Sequence, residues 1–168
     1  WSSAAGRGLW FSVLLRPSIA PSECTQLTAA SANALVRAIQ STTGITPEIK
    51  WPNDLLIKGK KIAGILTEMS AELEHVRSVI LGIGIDATQT ASEFPADLRN
   101  IATSLKLATG KTVSRADLAE AVLRELDREY ARILAGQFAA VAEEWGSRCS
   151  TLGKQVTIDM GARRVRGR

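Results

Sequence analysis

The sequence predicts an α+β domain in which a mixed or antiparallel sheet carries helices packed on one face. Three observations predict it: short apolar stretches bounded by turn residues, long segments with apolar residues at helical spacing, and strands that follow one another as hairpins. The chain has 168 residues, of which 45% are hydrophobic and 23% charged. This balance excludes a wholly disordered chain, and the length suits one main core.

The first strand and the first helix are predicted near the start of the chain. Residues 9–15 read LWFSVLL and end at Arg16-Pro17, a pattern typical of a buried strand closed by a turn. A helix then opens at Pro21 and places apolar residues on one face until Gly44.

Further strands are predicted by three apolar and β-branched runs, at residues 46–51, 55–69 and 76–87. The run over 55–69 bends at Lys58-Gly59-Lys60 and therefore forms a hairpin. Gly82 and Gly84 interrupt the last strand. Because glycine weakens a strand, both positions suggest close approach of a ligand or of a neighbouring backbone.

The second half of the chain is predicted to be mainly helical. A loop over 92–110 holds a helical turn around 98–107, and a long helix begins near Ser114 with Asp117 in the capping-box position. A second helix follows Gly136. Alternating residues then predict a hairpin, over 154–160 and 161–168. We therefore expect a main domain over residues 1–149, with its N-terminal part missing, and the truncated start of a small β module over 150–168.

The charge is concentrated at the end of the chain. The formal net charge is +4, and four arginines lie among the last six residues, namely Arg163, Arg164, Arg166 and Arg168. Without them 17 of the 21 basic residues remain, equal to the 17 acidic residues. A neutral body argues against a large nucleic-acid footprint. A solvated strand or terminus explains the arginine cluster.

The remaining sequence features indicate a cytoplasmic protein. Cys24 and Cys149 are far apart and lack metal-site or redox spacing, so we expect reduced thiols. His75 is the single histidine, which excludes a site of several imidazoles. No signal peptide and no membrane span are predicted. The chain begins at Trp1 rather than methionine, so we expect a fragment.

Residues 50–68, KWPNDLLIKGKKIAGILTE, place lysines and one aspartate around a tight turn. Lys50, Lys60 and Lys61 repel one another unless an anion or a carboxylate such as Asp54 lies among them. This pattern predicts that an anion or a carboxylate lies among these lysines. A solvated hairpin tip, whose lysines prevent edge-to-edge aggregation, explains the same residues, and composition does not decide between the two.

The same segment closely resembles the signature segment of biotin protein ligases. Residues 6–17, GRGLWFSVLLRP, look like the strand that follows the family's biotin loop, and residues 79–87, VILGIGIDA, look like its late ligand-binding strand. Lipoate ligases are similar in fold, but Trp51-Pro52 and the run over 63–66 look like the biotin branch. The resemblance implies a class II synthetase-like biotin/lipoate ligase fold followed by an SH3-like module.

The resemblance also implies the chemistry. Such ligases join the carboxylate of biotin to the α-phosphate of ATP, with Mg²⁺, and then pass biotin from biotinyl-5'-AMP to a lysine of the biotin carboxyl carrier protein of acetyl-CoA carboxylase. The alternatives are a truncated, non-catalytic fragment that binds biotin or nucleotide, a lipoate ligase relative, and a nucleic-acid module that uses the arginine-rich end. A homodimer through a free sheet edge fits the family. No DNA binding is expected, because no winged-helix segment precedes the matching region.

The matching positions supply candidate site residues. The resemblance assigns catalysis to Lys61 and Asp54. For biotin it implies contacts from Lys61, Gly64, Gly82, Trp10 and Trp1. For ATP it implies contacts from Lys50, Asn53, Gly84 and Asp86. An ammonium such as that of Lys61 can stabilise charge that develops on a carboxyl oxygen and on phosphate. A carboxylate such as Asp54 can take the proton of an attacking amine.

The sequence departs from the family in two respects. The glycine- and arginine-rich loop that covers biotin, and a Ser-Thr-Asn segment before it, match nothing in these 168 residues, and Gly6-Arg7-Gly8 is not that loop. Without such a lid, water would reach the adenylate. Asp86 also replaces the family's usual asparagine. A carboxylate facing a triphosphate is repulsive unless Mg²⁺ lies between them, so Asp86 is expected to be either a Mg²⁺ contact or a residue turned away.

Overall fold

One antiparallel sheet organises the protein in a computed structural model that describes residues 4–72, 75–161 and 163–168. Its strands are β1 (Leu9–Leu15), β2 (Glu48–Lys50), β3 (Asp54–Ile57), β4 (Lys60–Glu72) and β5 (His75–Ile85). They lie in the order β1-β5-β4-β3-β2, and each pair of neighbours is antiparallel. The predicted α+β class is confirmed.

Four α-helices lie among the described residues. They are α1 (Thr25–Thr43), α2 (Leu105–Thr109), α3 (Arg115–Leu134) and α4 (Phe138–Arg148). Gly44 ends α1 in the left-handed conformation, at φ 76°, which glycine adopts without steric cost. Ser114 caps α3 by accepting a hydrogen bond from the Asp117 backbone N–H, as its sequence predicts. None of these helices has the length and apolar character needed to span a bilayer.

The helices cover one face of the sheet. Alternate strand residues point to this face and are buried, among them Ile49, Leu55, Ala63, Ile65, Ile83 and Ile85. They form one cluster with apolar residues of α1 and α3, which include Leu35, Ile39, Leu118, Val122 and Leu126. The other face is more open, since Leu14 and Leu66 are each more than half exposed. Chemistry that needs solvent access therefore belongs on that face.

The predicted helical turn around 98–107 is wrong over most of its length. Residues 96–101 form turns, and the helix begins only at Leu105. The reason is a competing ladder with the start of β4: the Lys61 N–H donates to Ile101 O at 2.8 Å, and the Thr103 N–H donates to Lys61 O at 2.9 Å. These extended contacts satisfy backbone groups that a helix would otherwise use.

The C-terminal residues form a separate two-stranded hairpin. Strand β6 (Val156–Asp159) pairs with β7 (Arg164–Gly167), and most of their side chains are exposed. The hairpin is consistent with the start of an SH3-like module. The boundary between residues 149 and 150 stays a prediction.

An ion-pair network joins the three longer helices. Arg37 of α1 pairs with Glu125 and Glu129 of α3, each at 2.6 Å, and with Glu144 of α4. Arg132 also pairs with Glu129 and Glu144, at 2.5 and 2.8 Å. Only 1% of the Glu129 side chain is exposed. Because a buried carboxylate needs partners to offset its lost hydration, these arginines fix the helices to one another.

Acid should weaken this network through Glu144. Burial raises the pKa of this carboxyl, but hydrogen bonds from Arg132 and the charge of Arg37 outweigh it and lower the pKa to about 2, from an ordinary value of 4.5. The stabilisation is therefore present above pH 4.5 and is lost as the pH falls towards 2. We expect Glu144→Gln to lower the urea midpoint at pH 7 and to flatten its decline below pH 4.5.

The matched control for this prediction is Glu143→Gln, on the same helix, because Glu143 is exposed. Its urea midpoints should follow those of the wild type at each pH. A Glu144→Gln curve parallel to the wild type from pH 7 to pH 3 would contradict the role of Glu144.

Candidate active site

A single row of residues crosses the open face of the sheet. The strand register pairs Lys50 with Asp54, Asp54 with Gly64, Gly64 with Gly84, and Gly84 with Trp10. Directly paired residues of antiparallel strands point their side chains to the same face. The row therefore brings together five of the predicted site residues, one from each strand, on the face away from the helices.

Glycines form the middle of this row. Gly64 and Gly84 lie opposite each other, and Gly82 lies in the next row opposite Leu66. A Cβ added at Gly82 would stand 3.5 Å from the Leu66 Cβ, which is ordinary contact, so packing alone does not require glycine there. Gly64 and Gly84 are buried in the unliganded chain, but neither has a side chain that would keep a flat ligand away from the backbone of these central strands.

Lys61 and Asp54 meet at the edge of the glycine floor. The register of β3 and β4 shifts between Leu55 and Leu56, and beyond this irregularity the Lys61 Nζ lies 2.5 Å from the Asp54 Oδ1. The two side chains are 39% and 21% exposed, so a ligand can reach both. A cation and a carboxylate, the two groups singled out by the sequence, therefore lie side by side.

The turn before β3 is held in place by Asn53. The Asn53 side-chain amide donates to Ile65 O at 2.6 Å, and the Ile65 N–H donates to Asn53 O at 2.9 Å. These two bonds fix the turn on β4 and thereby position Asp54. The sequence left turn geometry and a nucleotide contact open for Asn53, and its hydrogen bonds favour turn geometry.

The aromatic end of the row is Trp10. Its indole folds back over Gly8, where an added Cβ would stand only 2.1 Å from ring carbons. The indole Nε1 is buried and has no hydrogen-bond partner among the described residues. An unsatisfied donor beside the glycine floor suits a ligand with a carbonyl or ureido oxygen. Trp1, the other predicted aromatic contact, lies outside the described residues.

Asp86 follows the last residue of β5 and is 7% exposed. Its carboxylate accepts a hydrogen bond of 2.5 Å from Gln89 Nε2. Burial raises the pKa of Asp86 to about 6, although the Gln89 hydrogen bond and the Lys61 charge oppose the shift. The burial and the Gln89 hydrogen bond disfavour the expected Mg²⁺ contact, whereas the effect of the Lys61 charge places the Asp86 carboxyl near the proposed site. The sequence did not single out Gln89, which lies in an unremarkable polar loop.

Comparison with known proteins places this chain in a family. The sequence model described as the biotin/lipoate A/B protein ligase family matches residues 1–86. A bifunctional ligase/repressor BirA of Bacillus spizizenii is 42% identical over 167 residues, which cover 99% of this chain and 50% of the relative. A biotin--[acetyl-CoA-carboxylase] ligase of Mycobacterium tuberculosis is 30% identical over 166 residues, which cover 95% of this chain and 58% of the relative.

The structural comparison agrees. A biotin protein ligase from Aquifex aeolicus, solved in complex with biotin and ATP, superposes with a TM-score of 0.82 at 29% identity. The match covers 96% of this chain and 66% of that structure. The chain spans about half the length of the two BirA proteins of Bacillus that it matches at 42% identity. Its sequence match over the sheet, together with the shared fold, shows that the chain belongs to the biotin/lipoate A/B protein ligase family.

Proposed function

We propose that the protein containing this chain is a biotin–protein ligase. It activates biotin with ATP to biotinyl-5'-AMP, releasing pyrophosphate, and transfers biotin to a lysine of the biotin carboxyl carrier protein of acetyl-CoA carboxylase. The observation that carries the proposal is the contact between Lys61 and Asp54 at the edge of a glycine-floored row. The relatives named as biotin ligases support the same assignment.

Lys61 is the proposed electrostatic catalyst of the first step. In that step a biotin carboxylate oxygen attacks the α-phosphorus of ATP and the bond to pyrophosphate breaks, so negative charge collects on oxygens of both reactants. An ammonium held in place can stabilise that charge without reorganising at the moment of reaction. The backbone hydrogen bonds of Lys61 to Ile101 and Thr103 hold its strand in position.

Asp54 is the proposed base of the second step. The amine of the carrier lysine attacks the biotinyl carbonyl, AMP leaves, and the amine must lose a proton. A neighbouring carboxylate can take that proton and keep the amine nucleophilic. In the unliganded protein Asp54 is paired with Lys61. An anion bound at Lys61 would compete for this ammonium and leave Asp54 available to the amine.

The remaining site residues divide between the two substrates. We assign biotin to Lys61, Gly64, Gly82 and Trp10, with Trp1 as a further contact, because a glycine floor beside an indole suits an apolar bicyclic ring with a short acyl chain. We assign ATP to Lys50 and Gly84, and keep Asn53 chiefly as the anchor of the turn. Lys50 is exposed at the far end of the row, where a flexible cation could reach a phosphate.

Mg²⁺ is proposed to enter with ATP as part of the substrate. Among the described residues, no group of three or more His, Cys, Asp or Glu side chains could hold a metal ion. The Asp86 carboxylate is buried and bonded to Gln89, which does not fit a direct ligand of a phosphate-bound ion. Mg²⁺ commonly keeps several waters and bridges substrate phosphates. We therefore assign no protein ligand to it.

Replacement of Asp54 should separate the two steps. We expect Asp54→Asn to slow transfer of biotin from preformed biotinyl-5'-AMP to the carrier by about 10²-fold or more, because general-base catalysis contributes about that much. Biotinyl-5'-AMP formation should fall far less. The measurement is single-turnover transfer followed by mass spectrometry of the carrier.

Raising the pH provides the control for Asp54→Asn. A higher pH deprotonates the carrier lysine without a base, so the deficit of the variant should shrink as the pH rises. A variant that transfers biotin at the wild-type rate at pH 7 would remove Asp54 from this role.

The main alternative is a chain that binds biotin or nucleotide without turnover. Calorimetry of the 168-residue chain with biotin and with ATP, beside pyrophosphate release by the full-length protein, distinguishes them. Binding without pyrophosphate release in the full-length protein would favour the alternative. A lipoate ligase relative would instead release pyrophosphate with lipoate in place of biotin. We expect release with biotin.

Further properties of the whole protein remain proposals. Strands β1 and β2 form the edges of the described sheet. The β2 edge already bonds residues 149 and 150, through the bridge between Ile49 and Cys149 and the Ser150 N–H that donates to Ile49 O at 2.8 Å, so β1 is the edge that could pair with a second copy to form a homodimer. Light scattering of the full-length protein measures this directly. We expect no DNA binding by these 168 residues, because their charge is balanced outside the arginine-rich end. A cytoplasmic location stays our expectation.

A further inference from the structure

The buried pair of Asp86 and Gln89 is not accounted for by the proposed function. Gln89 is 2% exposed and Asp86 is 7% exposed. Gln89 Nε2 donates to Asp86 Oδ1 at 2.5 Å, whereas Gln89 Oε1 is buried and has no hydrogen-bond partner among the described residues. Leaving such an acceptor unsatisfied costs about 1–3 kcal/mol. The Gln89 amide therefore has a satisfied NH₂ group and an unsatisfied oxygen, and this oxygen needs a hydrogen-bond donor.

The surrounding backbone holds the pair rigidly. The Ser104 hydroxyl donates to Gln89 O at 2.7 Å. The Leu105 N–H donates to Asp86 O at 2.9 Å, and the Asp86 N–H donates to Ile62 O at 2.8 Å. Both residues are therefore anchored to β4 and to the start of α2. The orphaned oxygen cannot find a new partner without breaking these bonds.

The chemistry of the two side chains identifies the missing donor. An ionised carboxylate only accepts hydrogen bonds, so it can satisfy the Gln89 NH₂ group but not Oε1. A protonated carboxyl also has one O–H donor. A carboxylic acid and a primary amide can then exchange two hydrogen bonds, which would satisfy both ends of the Gln89 amide. A proton on Asp86 therefore supplies the hydrogen-bond donor that Gln89 Oε1 lacks.

The charges nearby link this proton to the proposed site. Lys61 of β4 acts on Asp86 electrostatically, and the same ammonium is 2.5 Å from Asp54 of β3. An ionised Asp86 therefore adds a second carboxylate beside one lysine. The other charged residues on the surrounding elements are Lys106 of α2, Arg115 of α3, which donates to Gly8 O, and the exposed pair of Arg7 and Glu93.

We propose that Asp86 and Gln89 form a proton-accepting pair, and that an anion bound at Lys61 drives a proton from solvent onto Asp86, so that the acid and the amide exchange two hydrogen bonds. The pairing of Asp86 with Gln89 is a property of the protein without ligand. The effect of an anion rests on the proposed function, which brings an anionic substrate to Lys61. Gln89 is then a positioning residue, because it stabilises the uncharged form of Asp86 and leaves the Lys61 charge to the substrate.

Burial raises the pKa of Asp86 to about 6, which agrees with this proposal. Near pH 7 the carboxyl of the free protein is then mostly ionised. Neutralising Lys61 removes a positive charge that lowers the pKa of Asp86. The Asp86 carboxyl should therefore take up a proton near neutral pH. Anion binding at Lys61 should therefore be tighter at lower pH, and it should consume protons.

The first experiment needs no ligand. Carbon-13 NMR of the Asp86 carboxyl should show a midpoint near pH 6, and the Gln89 side-chain amide resonances should titrate with the same midpoint. Lys61→Ala, which mimics neutralisation by an anion, should raise both midpoints by about one unit. Lys60→Ala is the matched control and should leave them unchanged. A carboxyl that stays ionised down to pH 5, or a Gln89 amide that does not follow it, would overturn the proposal.

The second experiment measures the link to substrate. Calorimetry of the full-length protein with MgATP, in buffers of different ionisation enthalpy at pH 7, should show uptake of about 0.4 proton in the wild type, because a pKa that rises from about 6 to about 7 takes the Asp86 carboxyl from about one-tenth to about one-half protonated. The affinity should fall by about fivefold in total between pH 6 and pH 8 and change little above that. Asp86→Asn, which is neutral at every pH, should abolish both effects. Proton uptake unchanged in Asp86→Asn would overturn the link. Absence of MgATP binding in both proteins would count against the proposed function, whereas the NMR titration still decides the pair.

Discussion

Replacing Lys61 by alanine is expected to lower the rate of biotinyl-5'-AMP formation by about 10²–10³-fold in the full-length protein. This is the usual effect of removing one donor directed at developing charge. Folding should be retained, because the Lys61 side chain is 39% exposed and its backbone bonds to Ile101 and Thr103 do not need the ammonium. The measurement is pyrophosphate release with saturating biotin and ATP.

The control for this experiment is Lys60→Ala. Lys60 is the preceding residue of the same strand, and its ammonium donates to the backbone carbonyl of Arg99, at 3.0 Å, in an exposed contact. The net charge therefore changes equally in the two variants, but only Lys61 pairs with Asp54. An equal loss in both variants would point to a general effect of charge. An undiminished rate in Lys61→Ala would exclude Lys61 from catalysis.

Replacing Arg37 by alanine is expected to lower the free energy of unfolding by about 3–5 kcal/mol. Breaking a buried ion pair on one side leaves uncompensated charge, and Arg37 contacts three carboxylates, of which Glu129 is 1% exposed. Loss of its contacts with α3 and α4 should also loosen the helices that support the sheet. Urea unfolding followed by circular dichroism measures the change.

Arg124→Ala is the matched control, because Arg124 also pairs with a glutamate on α3. That pair, with Glu120, is exposed on both sides, at 68% and 72%, and exposed pairs contribute little to stability. We expect the unfolding curve of this variant to stay close to that of the wild type. A similar small effect of Arg37→Ala would mean that the network does not hold the helices together.

Elements with strong local signals could be predicted from the sequence. LWFSVLL forms β1 over Leu9–Leu15, as its apolar run indicates, but the predicted burial is wrong, because β1 is an edge strand with no fully buried residue. Helix α1 ends at Gly44 where the glycine indicates. Lys61 and Asp54 could be identified as site residues from the resemblance to biotin protein ligases. Composition alone did not distinguish them from the residues of a solvated hairpin. Their contact at 2.5 Å could be expected only once the register of β3 and β4 was assumed.

The parts that could not be predicted depend on contacts distant in sequence. The extended pairing of Lys61 with residues 101–103 overrides a local helical pattern, and nothing within 98–107 signals it. The hydrogen bond between Gln89 and Asp86 is local, but its proposed role depends on the burial of both side chains next to the start of α2 and on the charge of Lys61. Single-sequence patterns report neither burial nor the field of a distant lysine.

A crystal structure of the full-length protein with bound biotinyl-5'-AMP tests the central claim most directly. The account predicts that the ligand lies over Gly64 and Gly84, with the Lys61 ammonium within hydrogen-bond distance of its carbonyl and phosphate oxygens and with Asp54 released from Lys61. A ligand bound elsewhere, on the helix-covered face or beside the C-terminal hairpin, with the pair of Lys61 and Asp54 intact, would contradict it.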